Sequence, residues 1–407
     1  MMSPSRNHIT FVSVTLAFFM WGLLTSLNDV LIPHLKELFT LNYAQAMLVQ
    51  FVFFMAYALL SIPASRVLQR FGYKWAIAIG FAVAGFGCLG FLPSAEYAVY
   101  GYFLISLFVL ATGIVILQVA ANPYVSLLGD RKNSSARLTF AQGLNSLGTT
   151  LGPALGGVFI LGAIAAANGN EDIVITAIQH PYLALAVVMF CLSLYFIFFP
   201  LPQLKEEEIP EDHINISKKP IWEYKHLILG CVAIFAYVGA EVSIGSFLIN
   251  YLGTDHVLSL APAKAASFVA FYWGGAMVGR LIGAVVLTRV KPSKAVTFNA
   301  VLAIMLVLIS MFSFGNIALY SIVAVGLFNS ILFPTIFSLA VRELGEKTSL
   351  GSGLLCVAIV GGAIIPVIQG VIADHIGITM SFIVPIVCYL YILFFGTYGY
   401  DSQVRLS

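Results

Sequence analysis

Residues 201–223 read LPQLKEEEIPEDHINISKKPIWE, the one long polar stretch in a chain of 407 residues. On either side of it the sequence falls into apolar runs of about 20 residues with short breaks, the length a helix needs to cross the hydrocarbon core of a bilayer. The runs before it are 9–32, 43–64, 73–93, 97–123, 136–163 and 180–200. Those after it are 225–251, 262–288, 294–314, 316–341, 349–373 and 378–399. This pattern predicts an all-α membrane protein with twelve transmembrane helices: a six-helix bundle over 1–200, a cytoplasmic linker over 201–224 and a second six-helix bundle over 225–407. Composition agrees. Charged residues make up 9% of the chain and hydrophobic ones 60%, whereas a soluble domain carries roughly 25% charged residues. So few charges cannot clothe a water-facing surface of this size.

Basic residues set the orientation. On this helix map seventeen of twenty Lys and Arg fall on one side, among them Arg66, Arg70 and Lys74, Arg131 and Lys132, the linker lysines, and Arg342 and Lys347. Lys36 and Lys264 fall on the other, and Arg280 lies within a helix. A wrong helix count would scramble this partition, so both termini and the linker are expected in the cytoplasm. The apolar run from Ile9 is interrupted by Trp21, Asn28 and Asp29 and is longer than a signal peptide's, so it reads as a retained first helix. Cys88, Cys191, Cys231, Cys356 and Cys388 are scattered through apolar runs and read as small packing residues. The net charge of +2 gives no sign of a nucleic-acid partner. The seven His lack metal spacing, and no phosphate-binding loop is present for direct ATP drive. With no paired nucleophile and base, the chain is not expected to be an enzyme.

The halves resemble one another. Asn122-Pro123 on helix four is followed, thirty residues on, by the segment Leu151 to Gly157 around Pro153. Phe333-Pro334 on helix ten is followed, thirty-two residues on, by Ile364 to Gly370 around Pro366. In each, a glycine follows the second proline by four positions, at Gly157 and Gly370. Six-helix repeats of this kind typify secondary transporters whose site lies near the midplane.

The segment Ser65-Arg66-Val67-Leu68-Gln69-Arg70-Phe71-Gly72-Tyr73-Lys74 resembles the Gly-x-x-x-Asp-Arg-x-Gly-Arg-Lys signature of the major facilitator superfamily, with Ser65, Gln69 and Tyr73 as departures. Five other segments are more specific: Trp21-Gly22, Leu27 to Pro33, Gln118 to Tyr124, Arg137 to Gly148, and Tyr237 to Val242 leading into Ser246-Phe247-Leu248. Together they resemble the fucose–galactose–glucose:cation symporter branch of that superfamily along most of the chain. The resemblance implies a major facilitator fold and a monosaccharide symporter of a bacterial inner membrane. Fucose–proton symporters of the branch carry a Glu where this chain has Gln118, whereas Glu241 is similar to the glucose/galactose members.

An ionisable group inside a bilayer is costly unless paired or hydrated, and so marks a functional position. Of the acidic residues only Asp29 and Glu241 fall well inside helices, and of the basic ones only Arg280. Asp29 is read as the coupling residue, binding a sodium ion as carboxylate or taking up a proton, with Ser26, Asn28 and Gln118 as neighbouring oxygens; its structural alternative is a pair with Arg280. Glu241 is read as a sugar or cation ligand. Arg280 either pairs with an acid or reaches toward the interface near Arg289, and is taken as structural. Amides donate and accept, which suits sugar hydroxyls. Gln118 and Asn122 share one helix face, as do Gln142 and Asn145, and these four with Asn329 are candidate sugar ligands. Tyr272 and Trp273 are candidate platforms for the apolar face of a sugar.

The expected function is cation-coupled uptake of a hexose such as glucose or galactose into the cytoplasm by alternating access, by a monomer in the lipid bilayer, with sodium favoured over protons and no cofactor beyond that ion. The alternatives kept are a proton-coupled fucose or N-acetylglucosamine symporter, a drug-exporting facilitator, and a sugar sensor that does not transport.

Overall fold

A computed structural model describes residues 4–38, 43–97, 99–156, 171–202 and 220–401, with the side chains of 4–8, 28–38, 43–47, 154, 171, 172, 174, 262 and 263 outside that description. The described residues are mostly helical, without a strand. The chain forms two compact units, Met1–Leu128 with Leu144–Lys205, and Gly129–Gly143 with Glu206–Ser407.

The first unit contains α1 (Pro4–Leu38), α2 (Tyr43–Glu96), α3 (Tyr100–Leu127), the latter part of α4 (Ser134–Gly156), and α5 (Glu171–Phe198). The apolar part of α2, Leu48–Glu96, has 49 residues. At 1.5 Å per residue that is about 73 Å, twice the bilayer core, so it comprises two spans. They are divided at Gly72, whose φ of 76° and ψ of 173° lie where only glycine sits without strain. The sequence reading opened a loop after residue 64, but the chain stays helical through Ser65–Phe71. Leu, Gln and Arg are good helix formers, and Gly72 is the one breaker in the segment. Ten described stretches are long and apolar enough to cross a membrane, with α2 contributing one of them. Dividing α2 and adding α4, whose apolar run continues in sequence past its described end, accounts for twelve spans.

Helices approach closely in lipid where small residues line the contact. A Cβ added to Gly87 would collide with the backbone of Leu110, one on Gly113 with the backbone of Ala84, and one on Gly80 would lie 2.8 Å from Leu117. Positions 80, 84 and 87 fall on one helix face, so the second span of α2 and α3 meet backbone to backbone. Phe91 stacks on Tyr182 of α5 with centroids 4.2 Å apart, closing the other side of α2.

The second unit holds α6 (Lys225–Leu252), α7 (Pro262–Val286), α8 (Pro292–Phe312), α9 (Gly315–Asn329), α10 (Leu332–Ala340), α11 (Thr348–Val357), α12 (Gly361–Ile376) and α13 (Ile383–Phe394). The run expected as helix ten is broken into α9 and α10 at Ser330-Ile331, and helix eleven into α11 and α12 by a 3-10 turn, Ala358–Val360. On α7, Gly275, Gly279 and Gly283 recur every fourth residue and face the α9–α10 break, meeting Leu327, Ser330 and Ile331. The start of α4 clusters here too: Ser135 Oγ lies 2.6 Å from Ser338 Oγ, and Ala136 packs with Leu287, Ala295 and Ile331. Thus α4 belongs to both units, although the sequence assigned 136–163 wholly to the first bundle.

The internal repeat extends to backbone geometry. Leu128-Gly129-Asp130 and Leu344-Gly345-Glu346 each carry a left-handed glycine, with φ of 85° and 52°. Each leads through a 3-10 turn into a helix, α4 or α11. The cysteines are all free; Cys88, Cys356 and Cys388 are buried as packing residues, whereas Cys191 is exposed.

Gly113→Val is expected to abolish recovery of monodisperse protein in detergent, because its side chain has only the α2 backbone to enter. Gly101→Val on the same helix, with nothing within 4 Å of its Cβ, is expected to elute like the wild type.

Candidate substrate site

The polar groups of the second unit form one connected cluster. Tyr237 and Glu241 are one turn apart on α6, Tyr272, Trp273 and Arg280 lie on α7, Asn329 ends α9, and Tyr389 comes from α13. Asn329 is fully buried, and so are Tyr272 and Tyr389. Tyr272 OH donates to the Glu241 carbonyl at 3.1 Å. Having given away its one proton, that hydroxyl must accept from Asn329, whose Nδ2 lies 2.9 Å away. Asn329 Oδ1 in turn accepts from Tyr389 OH at 2.7 Å. Only one orientation of the amide satisfies both tyrosines, so the network fixes the Asn329 flip. Gly245 gives the rings room, since a Cβ there would sit 3.0 Å from Trp273 and 3.7 Å from Tyr272.

Arg280 does not reach for the interface. Its Nη2 faces Glu241 Oε1 at 3.5 Å, with the two side chains 12% and 11% exposed. It is the ion pair within the apolar spans among the described residues, and it is nearly but not wholly sealed. Arg280 Nε also donates to the Ser330 carbonyl at 3.2 Å. The sequence reading named Asp29 as a partner for Arg280; that side chain lies outside the described residues, and the partner described is Glu241. Trp273 is 41% exposed, so of the two α7 aromatics read as platforms it is the one with a free ring surface.

Of the four amides expected to converge, Gln118, Asn122 and Asn145 fall in the first unit and Gln142 in the second. Gln118 donates from Nε2 to Tyr57 OH on α2 at 2.6 Å, and Asn122 is buried one turn further along α3. Asn145 donates from Nδ2 to the Phe18 carbonyl of α1 at 2.9 Å, tying two helices together. A Cβ on Gly22 would collide with the Asn145 carbonyl, so the same contact is a close backbone crossing. Ser26 Oγ donates within its own helix, to Gly22 at 3.0 Å and Leu23 at 3.2 Å. Gln142 is buried in the second unit, beside Gly143, whose added Cβ would meet Leu281 at 3.0 Å. The remaining coupling residues, Asn28 and Asp29, lie on α1 with side chains outside the described residues.

Charge and amide chemistry held inside apolar, membrane-length helices is the arrangement of an integral membrane transporter. The model for the Major Facilitator Superfamily matches residues 11–358. A glucose/galactose transporter of Brucella abortus is 50% identical over 404 residues, spanning 98% of this chain and 96% of the relative. The L-fucose-proton symporter of Escherichia coli is 30% identical, over 97% and 94% of the two chains. The crystal structure of the transporter FucP in the outward conformation superposes with a TM-score of 0.86 at 29% identity, covering 96% of this chain and 98% of that one. The chain belongs to the major facilitator superfamily, in its fucose–galactose–glucose:cation symporter branch.

Leaving a buried polar group unpaired costs about 1–3 kcal/mol. Asn329→Leu strips partners from both Tyr272 and Tyr389, and is expected to lower the detergent melting temperature more than Tyr389→Phe, which leaves a single amide oxygen unmet.

Proposed function

We propose that this protein is a cation-coupled hexose symporter of a bacterial inner membrane, carrying a sugar such as glucose or galactose into the cytoplasm by alternating access, with both termini cytoplasmic. The observation that carries this reading is the Glu241–Arg280 pair, a charged site 11–12% exposed within apolar helices, in a chain half identical to a glucose/galactose transporter. A carboxylate accepts from the hydroxyls of an uncharged sugar, and the guanidinium beside it holds that carboxylate charged inside the apolar spans. Trp273 offers the exposed ring for the sugar's C–H face. Tyr272 and Asn329, sealed and bonded to each other, serve as the support behind Glu241. Gln118, Asn122 and Gln142 are further amides for hydroxyls, whereas Asn145 holds α1 against α4.

For the coupling ion, sodium is the first reading. Asp29 supplies the charge, and neutral oxygens of Ser26, Asn28 and Gln118 complete a hard-cation set. Gln118 spends its amide nitrogen on Tyr57, which turns its oxygen to the role of ligand. The ion here is cargo, bound and released with the sugar, and each must favour the other's binding. The second reading is a proton carried by Asp29 alone, favoured by the relative named as an L-fucose-proton symporter.

Radiolabelled glucose uptake into proteoliposomes separates these. Accumulation driven by an inward sodium gradient, lost in Asp29→Asn, is the expected result. Uptake undiminished in sodium-free medium at fixed pH excludes sodium in favour of the proton. Absence of accumulation of any hexose under either gradient excludes the symporter.

A further inference from the structure

Proline has no N–H, so Pro334 cannot donate to the carbonyl four residues before it, that of Ser330. The next bond along, from Thr335 N to the Ile331 carbonyl at 3.1 Å, is made. The gap is therefore one carbonyl wide, at the point where α9 gives way to α10. Arg280 Nε fills it at 3.2 Å. The Nη2 of the same guanidinium faces Glu241 at 3.5 Å. A guanidinium is a rigid plane, so these contacts cannot be adjusted independently. A second path joins the same two places: Asn329, the residue before Ser330, reaches Tyr272, and Tyr272 reaches the Glu241 carbonyl. The break in helix ten and the turn of α6 that carries Glu241 are thus tied twice. The glycines at 275, 279 and 283 let α7 come close enough for Arg280 to make the first tie.

The carboxylate contact is long. Charge-assisted N–H···O bonds run about 2.7–2.9 Å, so at 3.5 Å this one has room to tighten or to yield to a competing hydroxyl. The Ser330 contact differs, because the N–H that would ordinarily serve that carbonyl, at position 334, belongs to a proline.

We infer that Arg280 is a positioning residue of the sugar site, orienting the Glu241 carboxylate toward a bound hexose and coupling occupancy of that carboxylate to the bend of helix ten at Ser330. This rests on the hexose reading above. A sugar hydroxyl that takes up Glu241 frees or draws the guanidinium, and the shared plane passes the change to Ser330. A ligand shifts a conformational equilibrium only through contacts that differ between the two states, and this tie is such a contact.

The test compares wild type, Arg280→Lys, Pro334→Ala and the double variant in proteoliposomes, measuring hexose KM and maximal rate together with equilibrium sugar binding. Lysine keeps the charge beside Glu241 but has no fork. Arg280→Lys is expected to leave KM and binding within about threefold while the maximal rate falls about tenfold, the signature of an interaction used in turnover and not in uniform binding. Pro334→Ala returns a backbone donor to Ser330 and should lower the rate in the same sense. The double variant should be no slower than Arg280→Lys, since both changes cut one tie. Losses that multiply, or a raised KM with an intact maximal rate in Arg280→Lys, would overturn the inference while leaving the hexose reading standing. A wild type that binds and moves no hexose would overturn both. Should Arg280→Lys fail to fold, an unchanged maximal rate in Pro334→Ala alone is enough to sink the coupling.

Discussion

A peptide group inside a bilayer has no water to turn to, and every N–H and C=O must find its partner within the protein. That constraint explains why the apolar spans are helical and why their interruptions are informative. Gly72 interrupts α2 where the chain must reverse between two spans. Pro334 interrupts helix ten within a span, and leaves the Ser330 carbonyl to be met by something other than backbone. The group that meets it is Arg280, and the same guanidinium faces Glu241. A backbone defect and a charge that the bilayer would otherwise penalise are resolved together.

Close helix contact makes this possible. Without a hydrophobic drive between helices in lipid, contact comes from packing and hydrogen bonds, and small residues allow both. The glycines of α7 bring its backbone to the α9–α10 break, Gly245 admits the rings of Tyr272 and Trp273 to α6, and Gly22 admits Asn145 to α1. The amides then differ by partner: Asn329 bridges two tyrosines, Asn145 meets the backbone of α1, and Gln118 bonds a tyrosine of α2.

Much of this was legible in the chain. Spans of about 20 apolar residues, the polar stretch at 201–223 and the one-sided lysines and arginines specify twelve helices in two halves, because bilayer thickness and the cost of moving charge act on local sequence. Asp29, Glu241 and Arg280 stand out for the same reason. The helix ends were less legible: Ser65–Phe71 was read as loop because its charges suggested water, yet charged residues at a membrane surface remain good helix formers. Nor did spacing alone tell which amides converge. Gln118 with Asn122 and Gln142 with Asn145 share faces in pairs, but a face says nothing about the neighbour it meets.

What the sequence by itself determined is therefore the solvent, the apolar spans and the short roster of ionisable groups within them, all properties of windows about one helix long, together with a repeat of proline and glycine positions between the halves. What only the tertiary structure decided is who pairs with whom: Arg280 with Glu241 and Ser330, Asn329 between two tyrosines, Asn145 with the backbone of α1, and the first turns of α4 with the second unit. Those partners lie 39, 50, 60 and 127 residues apart in the chain for the pairs Arg280–Glu241, Arg280–Ser330, Asn329–Tyr389 and Asn145–Phe18. Several polar candidates compete for each, and the choice is made by which helices small residues allow to touch.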